Sequence, residues 1–269
     1  MGGGNHFIEV DNDSKNNKYL IIHSGSRNIG KQVAEIYQQM AIDDISGKSN
    51  FKQDSEKLIA EYKKCKRERE ISKAIKELKQ SYKTNTTKIP RELSYLVGKH
   101  REMYLHDMKL CQEFAKINRR IIQSTICYYM CWEVTKETER FQTIHNYIEY
   151  DTNIVRKGAI SAKTGEKVLI PINMRDGCIL GIGKGNEDWN YSAPHGAGRT
   201  MSRSKAKESI LLEEYQKAMD GIFTTSVNTS TIDESPMAYK TMDEIIGNIK
   251  DTVEIVDIIK PIYNFKANE

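Results

Sequence analysis

The sequence predicts an α+β fold, a mixed β-sheet core flanked by helices and carrying a helical insertion. Strand-like runs lie on both sides of a long helical middle, and the turns beside those strands are rich in glycine. The middle, about residues 54–140, is dense in charge but keeps an apolar stripe at helical spacing. With no internal repeat and no low-complexity linker, residues 1–269 are expected to form a single domain.

In chain order, His6-Phe7-Ile8-Glu9-Val10 and Tyr19-Leu20-Ile21-Ile22-His23 read as the strands of a hairpin, joined by the Asn- and Asp-rich turn Asp11 to Lys18. A helix follows from near Ile29, with Val33, Ile36, Tyr37 and Met40 on one face. Leu58, Tyr62 and Cys65, then Ile71, Ile75 and Leu78, mark two amphipathic helices whose Lys- and Glu-rich outer faces are solvated. Thr84 to Pro90 reads as a loop, and Tyr104, Met108, Cys111, Phe114 and Ala115 as a longer helix. Cys127 and Cys131, one turn apart, read as core thiols.

Strands are then expected over Phe141–Tyr150, Ile154–Ala162, Val168–Ile172 and Cys178–Ile182, with a hairpin turn at Lys163 to Lys167. Helices over Ser204–Met219 and Met242–Ile258 precede a short tail ending Phe265-Lys266-Ala267.

Composition narrows the class. Apolar residues make up 38% of the chain, and a mean hydropathy of −0.62 describes a hydrophilic globular protein. The most apolar stretch, Ile121 to Trp132, is too short to span a bilayer. Five scattered cysteines without a Cys-x-x-Cys pair fit a reducing, cytoplasmic setting. A net charge of +4 permits contact with a polyanion without demanding it.

The chemistry concentrates in histidines. Four of the six stand in glycine-, serine- or asparagine-rich contexts: Asn5-His6-Phe7, His23-Ser24-Gly25-Ser26-Arg27, His145-Asn146-Tyr147 and His195-Gly196-Ala197-Gly198-Arg199. Glycine lets backbone N–H groups approach a ligand's phosphate oxygens. Three imidazoles suit a transition metal, with added oxygen ligands favouring manganese, and the fourth suits attack on phosphorus. Arg199 would offset charge on a transferring phosphate. His100 and His106, on the helical stretch without such company, read as structural.

These segments, with Gly2-Gly3-Gly4-Asn5-His6-Phe7-Ile8-Glu9-Val10, Arg156-Lys157-Gly158-Ala159 and Glu234-Ser235-Pro236-Met237-Ala238-Tyr239, resemble in order the signature motifs of RtcB RNA ligases. The resemblance implies GTP-dependent joining of RNA 3′-phosphate or 2′,3′-cyclic phosphate ends to 5′-hydroxyl ends, through guanylylation of His195. It implies manganese ligation by His6, His23 and His145. It also implies a GTP pocket lined by Asn5, His6, Phe7, Ile8, Glu9, His145, Asn146, His195, Gly196, Ala197 and Gly198. Lys266 matches a base-contacting lysine, against the rival expectation of an exposed lysine on a frayed end. Pro171-Ile172-Asn173-Met174 falls where relatives have Pro-Gly-Ser-Met, and Cys178 where they often have serine.

The family completes its two-metal site with an aspartate and a bridging cysteine from an Asp-x-Gly-Cys motif upstream of the glycine run, where this sequence has Met1. The expectation is therefore an N-terminally truncated ligase with an incomplete manganese site. The alternatives are a GTP- or RNA-binding remnant, or one half of a split ligase whose missing segment comes from a separate chain.

Overall fold

Alternation along the first strand sets the organisation of the sheet, because Phe7, Glu9 and Asp11 share one face of an extended chain. The computed structural model describes residues 6–84 and 89–267, so Gly2 to Asn5 and the Asn85–Lys88 part of the expected loop lie outside it. The strands are β1 (Phe7–Asn12), β2 (Lys18–His23), β3 (Tyr147–Ile148), β4 (Val155–Arg156), β5 (Ala159–Ser161), β6 (Lys167–Asn173), β7 (Gly177–Gly183), β8 (Ser192–Pro194), β9 (Phe223–Thr224) and β10 (Val253–Lys266). The helices are α1 (Arg27–Ile45), α2 (Lys48–Lys64), α3 (Ile71–Thr84), α4 (Gly98–Tyr129), α5 (Arg203–Ser209), α6 (Leu212–Ala218) and α7 (Met242–Asn248). The class is α+β.

The chain divides into two compact units, residues 28–112 and residues 1–27 with 113–269. In the first, Tyr37 stacks near Tyr104 and its hydroxyl donates to Asp107 at 2.7 Å. The Tyr82 ring of α3 meets Phe51 of α2 edge-on, and its hydroxyl donates to Asp54. His100 Nδ1 lies 2.6 Å from Asp44 and His106 Nδ1 lies 3.0 Å from Asp107.

The second unit holds the main sheet, with strand order β2-β1-β10-β7-β6 and β9 added parallel to β10. The β1–β2 hairpin forms as the sequence predicts, because Asp13 Oδ1 accepts the N–H groups of Lys15 and Asn17 and closes the turn. On one face of the sheet, Val168, Ile170, Ile172 and Ile179 bury against Ile160, Ile245, Ile249 and Val253. On the other, Phe7, Ile21, Cys178 and Ile259 pack with Tyr19, Leu169 and Leu180.

Several sequence expectations are corrected here. The second C-terminal helix stops at Asn248, and Val253–Lys266 forms the central strand, paired with β1 on one edge and β7 on the other. The apolar spacing of Met242, Ile245, Ile249 and Val253 runs helically past the true helix end. The β-branched run Val253, Ile255, Val256, Ile258, Ile259 prefers the pleated sheet. Pro261 is tolerated in this central strand because it sits beside a register shift, where a ladder bond is already interrupted. Ser204–Met219 is two short helices, broken at Ile210 and Leu211. The expected hairpin across Lys163–Lys167 is absent: β5 pairs with β8 instead. Of Phe141–Tyr150 only Tyr147 and Ile148 form strand. Cys131 is exposed and Cys127 half-buried, so neither is a core thiol.

Gly177 opens β7 at φ +82°, and a Cβ there would stand 2.0 Å from the Ile259 carbonyl oxygen. Gly177→Ala should therefore cost about 2 kcal/mol or more from the left-handed backbone and the displaced strand. Thermal unfolding followed by circular dichroism should show a midpoint several degrees lower. An unchanged midpoint would mean that the β7–β10 contact yields freely.

Candidate functional site

Four of the histidines singled out in the sequence come together in a row at one end of the sheet. His6 enters β1 and His23 ends β2, and their ring centroids lie 5.8 Å apart. His23 and His145 follow at 5.4 Å with Nε2 atoms 3.4 Å apart, and His145 and His195 at 4.4 Å, tilted by 36°. Register sets the first two: Phe7 pairs with His23 and packs on its ring at 5.2 Å.

The later two depend on loops. Arg156, almost fully buried, binds Ser192 Oγ, the Tyr147 hydroxyl and Glu149, tying β4 to the segments that carry His145 and His195. Asn146 takes a left-handed backbone and its Oδ1 accepts the N–H of Gly158 at 3.1 Å. Gly158, at φ +70°, lies against the His195 ring.

Burial, followed by the neighbouring His145 and His6, brings the pKa of His23 down to about 3. Burial, then His195, lowers that of His145 as well. Both rings are thus held neutral, the form that binds a metal. His145 Nδ1 and His195 Nδ1 are buried without hydrogen-bond partners. The donor set fits a transition metal at His23 and His145, while His6 Nε2 faces Arg27 at 2.7 Å.

Beside this row lies a cavity of about 290 Å³. Phe7, Glu9, His23, Lys266, Pro171 to Met174, and the loop His195 to Arg199 line it. That loop is tied down by Ala197 N–H donating to the Pro171 carbonyl and by the Arg199–Tyr239 bridge. Most residues of the expected nucleotide pocket therefore converge. His6 and His145 stand in the histidine row and are not in the cavity wall, Ile8 is on the opposite face of β1, Asn146 bonds the N–H of Gly158, and Asn5 lies outside the described residues.

Lys266 is no frayed end. It is 7% exposed, its ammonium lies 3.1 Å from Glu234 and 4.8 Å from the Phe7 ring centre, and its N–H donates to Ser226 Oγ. Burial raises the Glu234 pKa, but Lys266, the Tyr239 hydroxyl and Arg203 together pull it below the usual carboxylate range. Arg199 spends its guanidinium on the protein, donating to Met201 O, Asp233 O and the Tyr239 hydroxyl and lying 3.5 Å from Glu234.

Cys178 does not line the cavity. It sits behind Glu9, fully buried, with its thiol directed at Glu9 Oε2 at 3.8 Å. Asp11 completes a trio whose ligand-type atoms all lie within 4.8 Å of one another. Burial pushes the pKa of all three upward, and the Glu9 charge adds to the rise at Asp11 and Cys178.

Other contributors were not singled out from the sequence. Arg203 lines the cavity, held by Asp233 and Glu234. Asn118 and Arg119 of α4 clamp the turn after His23 by donating to Ser24 Oγ and Ser24 O. Asp11 and Asn264 show only through strand alternation and pairing, and the sequence reads their partner strand β10 as the end of a helix followed by a short tail.

The family described as tRNA-splicing ligase RtcB matches residues 1–267. RNA-splicing ligase RtcB of Escherichia coli K12 is 27% identical over 283 residues, covering 99% of this chain and 60% of the relative. The tRNA-splicing ligase RtcB of Aeropyrum pernix is 26% identical over 293 residues, covering 91% of this chain and 54% of the relative. That of Nanoarchaeum equitans is 28% identical, with the same coverage. The chain thus spans a little over half the length of these relatives, and with the family match running almost end to end it belongs to the RtcB family.

Proposed function

We propose that this chain forms the nucleotidyl-transfer part of an RNA ligase, joining RNA 3′-phosphate ends to 5′-hydroxyl ends with GTP as co-substrate. The observation that carries the reading is the row of four histidines ending at His195, whose ring borders a cavity with Lys266 and Glu9 in its wall. No helix among the described residues is long and apolar enough to cross a membrane. The proposed setting is the cytoplasm, where scattered thiols stay reduced.

In this reading the unprotonated nitrogen of His195 forms a bond to the α-phosphorus of GTP, and pyrophosphate leaves. GMP then passes to an RNA 3′-phosphate, freeing His195. Attack by the 5′-hydroxyl forms the phosphodiester and expels GMP. A 2′,3′-cyclic phosphate end is first opened by water. The backbone N–H groups of Gly196 and Gly198 and the side chain of Arg203 face the transferring phosphate, while Lys266 and Glu9 meet the guanine. Arg199 acts by holding the loop.

Manganese would be held by His23 and His145 with His6, and when bound it supplies positive charge beside the phosphate. The carboxylate and bridging thiolate that complete the family's site are assigned to a segment outside residues 1–269, on the same or a separate chain. The helical unit, residues 28–112, is read as an insertion in one catalytic domain.

Two outcomes test this. Incubation with manganese and GTP labelled at the α-phosphate should give an acid-labile protein adduct that ATP does not give and that His195→Ala abolishes. An adduct surviving in His195→Ala ends the assignment. In a ligation assay with 3′-phosphate and 5′-hydroxyl RNA, residues 1–269 alone should be slower by at least about a hundredfold than the chain supplied with a family-like Asp-x-Gly-Cys segment. Equal rates would show that the site is complete without it.

A further inference from the structure

We infer that Glu9, Asp11 and Cys178 form a second, buried site for a divalent transition cation, zinc above all, distinct from the histidine row. The trio is built by strand pairing. Glu9 and Asp11 are alternate residues of β1, and Cys178 comes from β7, across the intervening β10. All three are 2% exposed or less. Phe7, packed on His23, is the preceding same-face residue of β1 and stands between the trio and the histidines.

Three features separate this cluster from an ordinary buried polar patch. Asp11 is 0% exposed, yet neither of its carboxylate oxygens meets a hydrogen-bond partner. Cys178 has a single thiol proton for two neighbouring carboxylates, Glu9 at 3.8 Å and Asp11, so it cannot answer both. Asn264 of β10, 1% exposed, donates from Nδ2 to Glu9 Oε1 at 2.6 Å and orients that carboxylate. The Oδ1 atom of the same amide is also buried and unpartnered. A carboxamide that fixes a carboxylate while keeping a free oxygen is the arrangement expected behind, or within, a metal's ligand set.

The donor chemistry narrows the ion. A thiolate with two carboxylates is too soft for magnesium or calcium, which take oxygen ligands, and suits zinc. Cys178, Glu9 and Asp11 supply three protein ligands within 4.8 Å of one another, and water takes the fourth position of zinc's tetrahedral shell. Glu9 and Asn264 also line the 290 Å³ cavity, which provides the route in. A bound ion would join β1, β10 and β7, and so stiffen the floor of the proposed nucleotide pocket. The cation site stands separately from the ligase reading but shares Glu9 with it: Oε2 faces Cys178 and the ion, while Oε1 lies on the Asn264 side, in the cavity wall.

Cobalt, which takes zinc sites and reports thiolate ligation, is the probe. Titrating the metal-free full chain with cobalt should give a thiolate-to-cobalt charge-transfer band saturating at one ion per chain, displaced by zinc. Cys178→Ser should abolish the band, and Asp11→Asn should weaken cobalt binding at least tenfold. His23→Ala, which removes a ligand of the other site, should leave the band in place. Zinc should also raise the thermal midpoint of the unmodified chain by more than that of Cys178→Ser, each measured against its own metal-free midpoint. Absence of the band from folded protein, or its persistence in Cys178→Ser through exposed Cys65 or Cys131, overturns the site. Asp11→Asn binding cobalt as tightly as the unmodified chain overturns it too.

Discussion

The pairing of β10 with β1 on one edge and β7 on the other is the constraint on which the rest depends. It sets Lys266 opposite Phe7 and Asn264 opposite Glu9, and it brings Cys178 beside Ile259. A slip of one residue would turn each of these side chains to the other face of the sheet. The register shift at Val10 and Asp11 adjusts the strands where Pro261 interrupts the ladder, so that Asp11 still faces the Cys178 side.

That pairing carries polar groups into a place where they are expensive to keep. Lys266 and Glu234 answer each other, with Arg203 and Arg199 adding positive charge around Glu234. His23 and His145 meet the cost differently, by staying uncharged. Neutral imidazoles keep their lone pairs free to donate, whereas the Lys266, Arg203 and Arg199 charges around Glu234 form an ionic network in the same cavity wall.

Much of the site was legible from residue type alone. Histidines beside glycine, serine and asparagine at strand ends are displayed by the scaffold, and all four meet in space. The β1–β2 hairpin was equally plain, because period-two alternation and an Asp- and Asn-rich turn point the same way. What could not be read is what depends on pairing between distant segments. Glu9 was assigned to a nucleotide pocket, but nothing local to it announces Asp11 or Cys178 as neighbours. The strand Val253–Lys266 was obscured because a helical apolar stripe leads directly into it. Arg199 and Arg203 are both held by distant partners, the first by Met201 O, Asp233 O and Tyr239 and the second by Asp233 and Glu234, a matter of tertiary contact rather than spacing.

The place of β10 in chain order has a biosynthetic consequence. During translation β1, β2, β6 and β7 all emerge before the strand that must lie between them, and β1 has no partner but β2 until residues 253–266 leave the ribosome. The nascent chain carries two separate pieces of sheet, β1–β2 and β6–β7, each with an open edge awaiting the same late segment. Such edges are ready partners for other chains, so a nascent chain stalled before residue 253 would be a natural client for chaperones. The cavity beside the histidines could not close early on a half-made molecule, because Lys266 and Asn264 of its wall arrive in the same last stretch that closes the sheet.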